Sequence, residues 1–569
     1  MASLPPGWVM IAGALLLPIL GRRAAWGSLL LAIASATVTW MTDYAGGSSW
    51  NVLGLDLDPV RVDATSKPFI IVFHIAAILS AIYALHVRDI KQHMAGVAYA
   101  GSAIAAAAAG DLISLFVFWE LTAVTSVFLV WAGKDPAAGA AGVRYLVIQV
   151  GSGVLLLCGA IAHYVATGSV RYESFVADGG LSVAGWLVLG SLAIKAAFPL
   201  LHNWLQDSYP KASATGTVFL SAFTTKLAIY ALIRGFAGFE PLIVVGCIMT
   251  LFPIIFAVIE NDLRRVLAYS LNNQLGFMVV GVGIGTELAI NGTVAHAFCH
   301  IIYKSLLFMS MGAVLHRVGT TKASELGGLH KSMPWTTAFC IIGAGSIAGF
   351  PLLSGFVSKS MIITAAAQEH HLWVWIVLLI ASAGVMEHSG IKIPFFAFFG
   401  HDGGHRVKEA PPNMLAAMGI ASAFCIGLGL AFPILYRLLP HEMTGSAAYA
   451  PYTTPHVINQ LQLLIFAALA FLVLMKTGVY PEERRATIID SDIVYRRWMP
   501  RMLGVIGSGI SAVDGSIRRD TMDVVRSLER SVRSGFSDTG LMGRSWSTST
   551  MTWLTAAMLA AFLVYYYAG

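Results

Sequence analysis

The chain has 569 residues, 57% of them hydrophobic and only 12% charged, with a net charge of +6. Soluble domains carry roughly a quarter charged residues, and no soluble fold hides this much apolar surface. The length therefore reads as many spans of about 20 residues each, and the basic residues, confined to short loops and one late segment, exclude a nucleic-acid-binding surface.

Sixteen hydrophobic segments are expected in chain order, at 7–20, 25–42, 69–87, 94–110, 112–132, 145–166, 183–206, 213–233, 241–259, 266–286, 289–315, 336–368, 372–400, 412–436, 457–477 and 551–567. The first holds the run Trp8–Leu20 and precedes the first charge at Arg22, so it reads as a span and not as a secretory signal with its basic leader. Several segments exceed 20 residues, which predicts tilting, kinks or broken helices. The five cysteines all fall in apolar runs without CxxC spacing, as small buried hydrophobes do; no disulfide, iron–sulfur or other metal site is expected.

Lys and Arg set the orientation. The odd-numbered loops up to the thirteenth hold fourteen, among them Arg264, Arg265, Arg406 and Lys408; the even-numbered loops hold five, Arg61, Lys67, Arg171, Arg234 and Arg437. Odd loops are thus expected in the cytoplasm, with both termini on the outer (periplasmic) side of a bacterial inner membrane and the stretch 478–550 cytoplasmic.

Charged groups at mid-bilayer cost several kcal/mol and mark function by default. Glu120 lies in LFVFWELTAVTSVFL, with eight residues between it and Asp111. Lys195 lies in LVLGSLAIKAAFPLLHNW and Lys226 in FLSAFTTKLAIYALI. His296, His300 and Lys304 follow at i, i+4 and i+8 in VAHAFCHIIYKSLLF, along one helix face. Lys359 lies in GFPLLSGFVSKSMIITAAA, and Glu387, His388 and Lys392 in VMEHSGIKIPFFAFF. Any one lysine could snorkel or close a structural ion pair, and the two histidines could be packing residues or, by spacing alone, zinc ligands without an acidic or Cys partner. The recurrence on spans five, seven, eight, eleven, twelve and thirteen suits a proton relay instead.

The chain also repeats. PheProLeuLeu occurs at 198–201 and at 350–353, so Pro199 and Pro351 each sit inside an apolar segment, 152 residues apart. Each should break its helix. Paired broken helices in corresponding halves point to a midplane transport site, and an odd number of intervening spans makes the two units inverted. The fold class expected is all-α and polytopic, with about 16 transmembrane helices and two inverted five-helix repeats.

FWELTAVTS, KAAFPLLHNWLQDSYP, AHAFCHIIYKSLLF and GFPLLSGFVSK resemble the core motifs of the antiporter-like membrane subunits shared by respiratory complex I, membrane-bound hydrogenases and Mrp-type sodium/proton antiporters, most of all the Mrp D type. The resemblance covers about residues 90–400. It implies that Glu120 pairs with Lys195, that Lys226 is the central lysine, that His296 and His300 form the connecting polar region, and that Lys359 ends the path; Lys304 follows the histidines toward the cytoplasmic end of their helix. The run GIKIPFFAFFG with Lys392 departs from the general motifs. Residues 484–544 hold eleven Arg and seven Asp or Glu, with Met522, Val525, Leu528, Val532 and Phe536 at helical spacing; with the final span they resemble a lateral helix and its anchor, or a plain membrane-surface helix. The organisation expected is 1–93 N-terminal helices, 94–236 first bundle, 237–400 second bundle, 401–480 additional helices, 481–550 a basic amphipathic helix on the cytoplasmic side, and 551–569 an anchor.

The function expected is not enzymatic. Protons, with or without sodium exchange, would pass along the midplane groups; a nearby Glu120 carboxylate holds the Lys195 ammonium charged, and its withdrawal favours proton release. No nucleotide, flavin, quinone or metal motif occurs; GVGIG (281–285) lies inside an apolar span. Energy must then come from partner membrane subunits or a sodium gradient, and lipid is the remaining contact. Three readings stay beside this one: a permease for an organic solute, a scaffold subunit that transports nothing, and a subunit powering bicarbonate uptake with a zinc-protein partner.

Overall fold

Backbone N–H and C=O groups in hydrocarbon must be satisfied within their own segment, so apolar runs of this length fold as helices. The computed structural model describes residues 4–568 apart from 45–47, 53, 178, 482, 484–487 and 489. It divides into two compact units, Met1–Ile488 and Ile489–Gly569. Among the described residues, 11 helices are long and apolar enough to cross a membrane, from Leu17–Met41 and Ser66–Tyr83 to Thr454–Thr477 and Thr548–Ala568.

All sixteen expected segments contain helix, and five fall short of a full apolar span for physical reasons. The first splits into Trp8–Ala14 and a tight turn, Leu17–Arg23, that runs on into the next helix. Ile90–Ala108 and Leu263–Ile284 are long enough but polar inside, the second holding Arg264, Arg265, Asn272, Asn273 and Gln274. The segments 183–206 and 336–368 are broken, into Val183–Lys195 with Asn203–Ser208 and into Pro334–Ala348 with Ser354–Gln368.

The two breaks share one backbone form. Ala197 and Gly349 adopt positive φ (59° and 81°), and so do Leu200 and Leu352 (69° and 72°), each pair 152 residues apart. A bulky residue in this region is strained and persists only where its surroundings hold it. The freed carbonyls are taken up locally: Trp204 Nε1 donates to Ile194 O at 2.9 Å, and Lys359 Nζ and Gln460 Nε2 donate to Ala348 O at 3.3 and 3.2 Å. A second correspondence is the isolated bridges Asp111–Arg171 and Asp262–Lys322, whose members are each 151 residues apart. Asp111 and Asp262 also cap the helices that follow them, accepting from Ser114 N and Arg264 N.

The polar ends of the spans sort onto two faces. On one, Arg234 donates to both Asp63 oxygens at 2.9 Å, and Asp58 N donates to Asp111 Oδ2 at 2.8 Å. On the other, residues of the third, fifth, seventh, ninth and eleventh loops converge, among them His86, Lys134, Lys211, Arg264 and Lys322 around a cavity of about 730 Å3.

One element corrects the all-helical expectation. Ser48–Val52 and Leu55–Val60 form an antiparallel hairpin, with Trp50 opposite Leu57 and Asn51 opposite Asp56. Its alternation is too short to stand out beside the spans.

In the second unit, Met499–Gly535 is a single helix with no buried residue, laced by pairs such as Arg518–Asp514 and Arg533–Glu529 at i, i+4. Met522, Val525, Leu528 and Val532 lie on it, exposed, and Phe536 caps its end. The helix Thr548–Ala568 likewise buries nothing.

Candidate functional site

Glu120 and Lys195 come to one place without touching. Lys195, the last residue of its helix before the break, is fully buried. Its Nζ donates to Trp119 O at 2.6 Å and Thr122 Oγ1 at 3.0 Å, and lies 4.2 Å from the Trp119 ring centre. The ammonium thus rests on the residues flanking Glu120, while Glu120 Oε1 is buried without a hydrogen-bond partner. No ion pair within 4.0 Å joins the two, where the sequence pointed to a direct pair. Glu120 lies beside Gly153 of the helix Ala138–Thr167, where a Cβ would overlap the carboxylate, so a side chain at 153 would push the carboxylate from its place. Trp119 is itself fixed through Nε1 to Ser152 Oγ at 3.0 Å.

Lys226 is fully buried where the segment 213–233 is interrupted between Gly216–Ala222 and Thr224–Phe236. Its Nζ donates to Ser221 O at 2.6 Å, a carbonyl that the interruption frees. Lys226 is the charged neighbour of His296, His300 and Lys304, all on the helix Glu287–Val318. The His296 and His300 rings stand 6.1 Å apart, and Tyr303 packs 5.3 Å from His300 and donates to Gln274 Oε1 at 3.2 Å. His296 Nε2, both His300 ring nitrogens and Lys304 Nζ are buried without partners. Buried polar atoms are almost always satisfied by protein or ordered water, and this line leaves several of its own without a protein partner. His296 Nδ1 lies 3.4 Å from Ser358 Oγ, next to Lys359, which is 2% exposed and donates to the carbonyl of the second break.

The structure therefore brings Lys226, His296, His300, Lys304 and Lys359 into one buried file, with Lys195 and Glu120 together at another position. Lys392 is placed otherwise, at the end of the helix Pro241–Ile259, where its Nζ donates to Ala257 O, Val258 O and Glu260 O and pairs with Glu483 at 2.8 Å. Glu483 escapes a reading of the sequence because it follows the span 457–477 in a run of loop charges, PEERR. His388, whose charged neighbours are Lys304, Lys392 and Lys359, is visible in the sequence only as part of VMEHSGIK. Asp111, beside Glu120 in sequence, is a helix cap and a strut to Asp58.

The structure is thus a polytopic helical bundle with two broken helices and a buried file of lysines and histidines. Residues 109–384 match the family described as "NADH:quinone oxidoreductase/Mrp antiporter, TM". Over those residues the chain is similar to this antiporter-like family of membrane subunits. It is 34% identical over 309 residues to a Na(+)/H(+) antiporter subunit of Alkalihalophilus pseudofirmus, covering 51% of this chain and 62% of that one. It is 30% identical over 357 residues to NAD(P)H-quinone oxidoreductase chain 5 of Synechocystis, covering 57% and 51%. The chain thus spans between half and two-thirds of these relatives' lengths. In fold it matches a chain of the Mrp complex from Dietzia sp. DQ12-45-1b, with a TM-score of 0.67 at 24% identity, covering 80% of this chain and 97% of that one.

Proposed function

We propose that the chain is a proton-translocating, antiporter-like subunit of a multisubunit membrane complex in a bacterial inner membrane, moving H+ along a midplane file, with Na+ exchange as the coupling open to it. One observation carries this reading. Lys226 and Lys359 each hold a carbonyl freed by a helix interruption, Lys195 ends its helix at a third, and His300 and Lys304 lie unpartnered between them. A structural lysine would be matched by a carboxylate; these are matched by backbone and empty polar valence, which suits a group that gains and loses a proton.

In this reading the proton is held at Lys195 beside Glu120 and passes through Lys226, Lys304, His300 and His296 to Lys359. Glu120 is only half-buried, on a face with exposed Val117, Val124 and Phe128. A carboxylate left against lipid is costly, which supports another membrane subunit covering it. The correspondences at 151 and 152 residues support two inverted five-helix repeats, 94–236 and 237–400, within about 16 spans, flanked by 1–93, 401–480, 481–550 and 551–569. The convergence of odd-numbered loops supports one shared face for them, assigned to the cytoplasm by their Lys and Arg excess, with both termini outside. The second unit, with its unburied amphipathic helix, suits lateral contact with lipid or neighbouring subunits.

The test is Lys195→Ala in the complete complex, with assembly checked on a blue-native gel and proton movement read by a pH-sensitive dye in inverted membrane vesicles. Loss of proton movement in an assembled complex is expected; wild-type movement sinks the relay.

A further inference from the structure

Glu387, His388 and Lys392 lie outside the family's general motifs, and the relay above leaves them without a task. The structure gathers them with Tyr480 and Glu483. The helix Leu372–Val385 passes into a π-helical stretch, Met386–Ile391. Widened turns of this kind re-aim side chains and recur at functional sites. Here His388 is fully buried, with Nδ1 2.8 Å from Ser389 Oγ, which donates to Ser270 Oγ at 2.6 Å. Its Nε2 has no partner. Lys304 and Lys359, members of the relay, are its charged neighbours, and so is Lys392.

Lys392 is fully buried and saturated by three carbonyls and Glu483 Oε1 at 2.8 Å. Glu387 Oε1 accepts from Tyr480 Oη at 2.7 Å. The outer oxygens, Oε2 of Glu387 and Oε2 of Glu483, are buried and unpartnered, and the Glu483 side chain is only 7% exposed. Glu260 completes the surroundings, held by Arg265 Nη1 at 3.3 Å. Pro481, between Tyr480 and Glu483 in the chain, is exposed and Glu483 is itself part-exposed as a residue, so the cluster ends at the surface of the protein. A static brace needs Lys392 and one carboxylate oxygen; it does not need an imidazole nitrogen and two carboxylate oxygens left over inside. Ordered water satisfies such groups, and proton transfer over more than a hydrogen bond's length uses it.

We propose that Glu483 and His388 form a side branch of the relay, exchanging protons between water at the surface beside Glu483 and Lys304 and Lys359, with Lys392 as the positioning residue that fixes Glu483. The branch rests on the relay reading. A proton from water protonates the Glu483 carboxylate and leaves it through bridging water for neutral His388. The imidazolium returns to neutral by passing one proton to whichever of Lys304 and Lys359 is then an uncharged amine. Each transfer moves one proton and restores its donor. Lys392 stays an ammonium, as its four oxygen partners require. The end of the branch lies on the side of the Glu260–Arg265 and 401–411 loops, opposite the hairpin.

The test uses the complete complex in inverted vesicles, with proton uptake driven by an imposed K+-diffusion potential and followed across pH. His388→Gln and Glu483→Gln keep size and hydrogen bonding, and are expected to assemble, slow uptake at least tenfold and change its pH profile. Glu483→Asp, still ionisable, is expected to retain part of the rate and the wild-type profile. The double variant Lys392→Met, Glu483→Met is expected to assemble, because apolar residues can replace a buried ion pair without loss of stability, and to be as slow as Glu483→Gln. Restored uptake in that double variant makes the pair a brace and overturns the branch. Wild-type uptake in both Gln variants overturns it as well, while loss of uptake in Lys195→Ala alongside shows the relay intact. Wild-type uptake in Lys195→Ala fails the relay, and the branch with it.

Discussion

The separation of Glu120 from Lys195 makes the central pair quantitatively testable. The ammonium rests on Trp119 O and Thr122 Oγ1, and no Glu120 oxygen lies within 4.0 Å. At an effective dielectric constant of about 20, unit charges 4 Å apart attract by about 4 kcal/mol, and this is the ceiling for the pair as it stands. At about 1.4 kcal/mol per decade, Glu120→Gln should slow proton movement by up to roughly a thousandfold but leave a measurable rate, because both oxygen acceptors of Lys195 survive. Lys195→Ala removes the carrier itself and should leave none. The double variant should then match Lys195→Ala alone, since both residues act at one step. Rates are compared in inverted vesicles after normalising to assembled complex on a blue-native gel. A double variant that assembles far more poorly than Lys195→Ala, or complete loss in Glu120→Gln alone, would refute the indirect geometry.

Gly153→Ala should cripple proton movement because its Cβ overlaps the Glu120 carboxylate, whereas Gly151→Ala, facing open space on the same helix, should move protons normally; the pair is read in the same dye assay. A single cysteine near Arg406 should react with a membrane-impermeant maleimide only from the cytoplasm and one near Arg171 only from outside, and the reverse pattern would invert the assigned orientation. His86, beyond the end of Ser66–Tyr83, has its pKa lowered to about 4 by burial first and by the facing His316 ring next. The unfolded chain therefore binds a proton that the folded chain refuses between about pH 6.5 and 4, so this contribution to stability is present above that window and lost as pH falls through it. Thermal unfolding of His86→Gln should show a shallower loss between pH 7 and 5 than wild type.

Hydropathy alone located the helical segments, because burying apolar side chains in lipid while satisfying the backbone leaves the chain one choice. The same reasoning made every intramembrane Lys, His and Glu conspicuous, and PheProLeuLeu at a spacing of 152 marked both helix breaks. What the sequence left undecided is which of those groups meet. Lys392 looked like a further member of the file, yet it ends against three carbonyls and a loop carboxylate 91 positions away, and no periodicity links 392 to 483. Glu120 and Lys195 looked like a contact pair, yet the ammonium settled on Trp119 O and Thr122 Oγ1, because Gly153 gives the carboxylate room to lie elsewhere. Composition and spacing act along the chain and fix which elements form. Contact between charges is decided across it, by helix breaks that free carbonyls and by small residues that open space, and those are properties of the packed bundle.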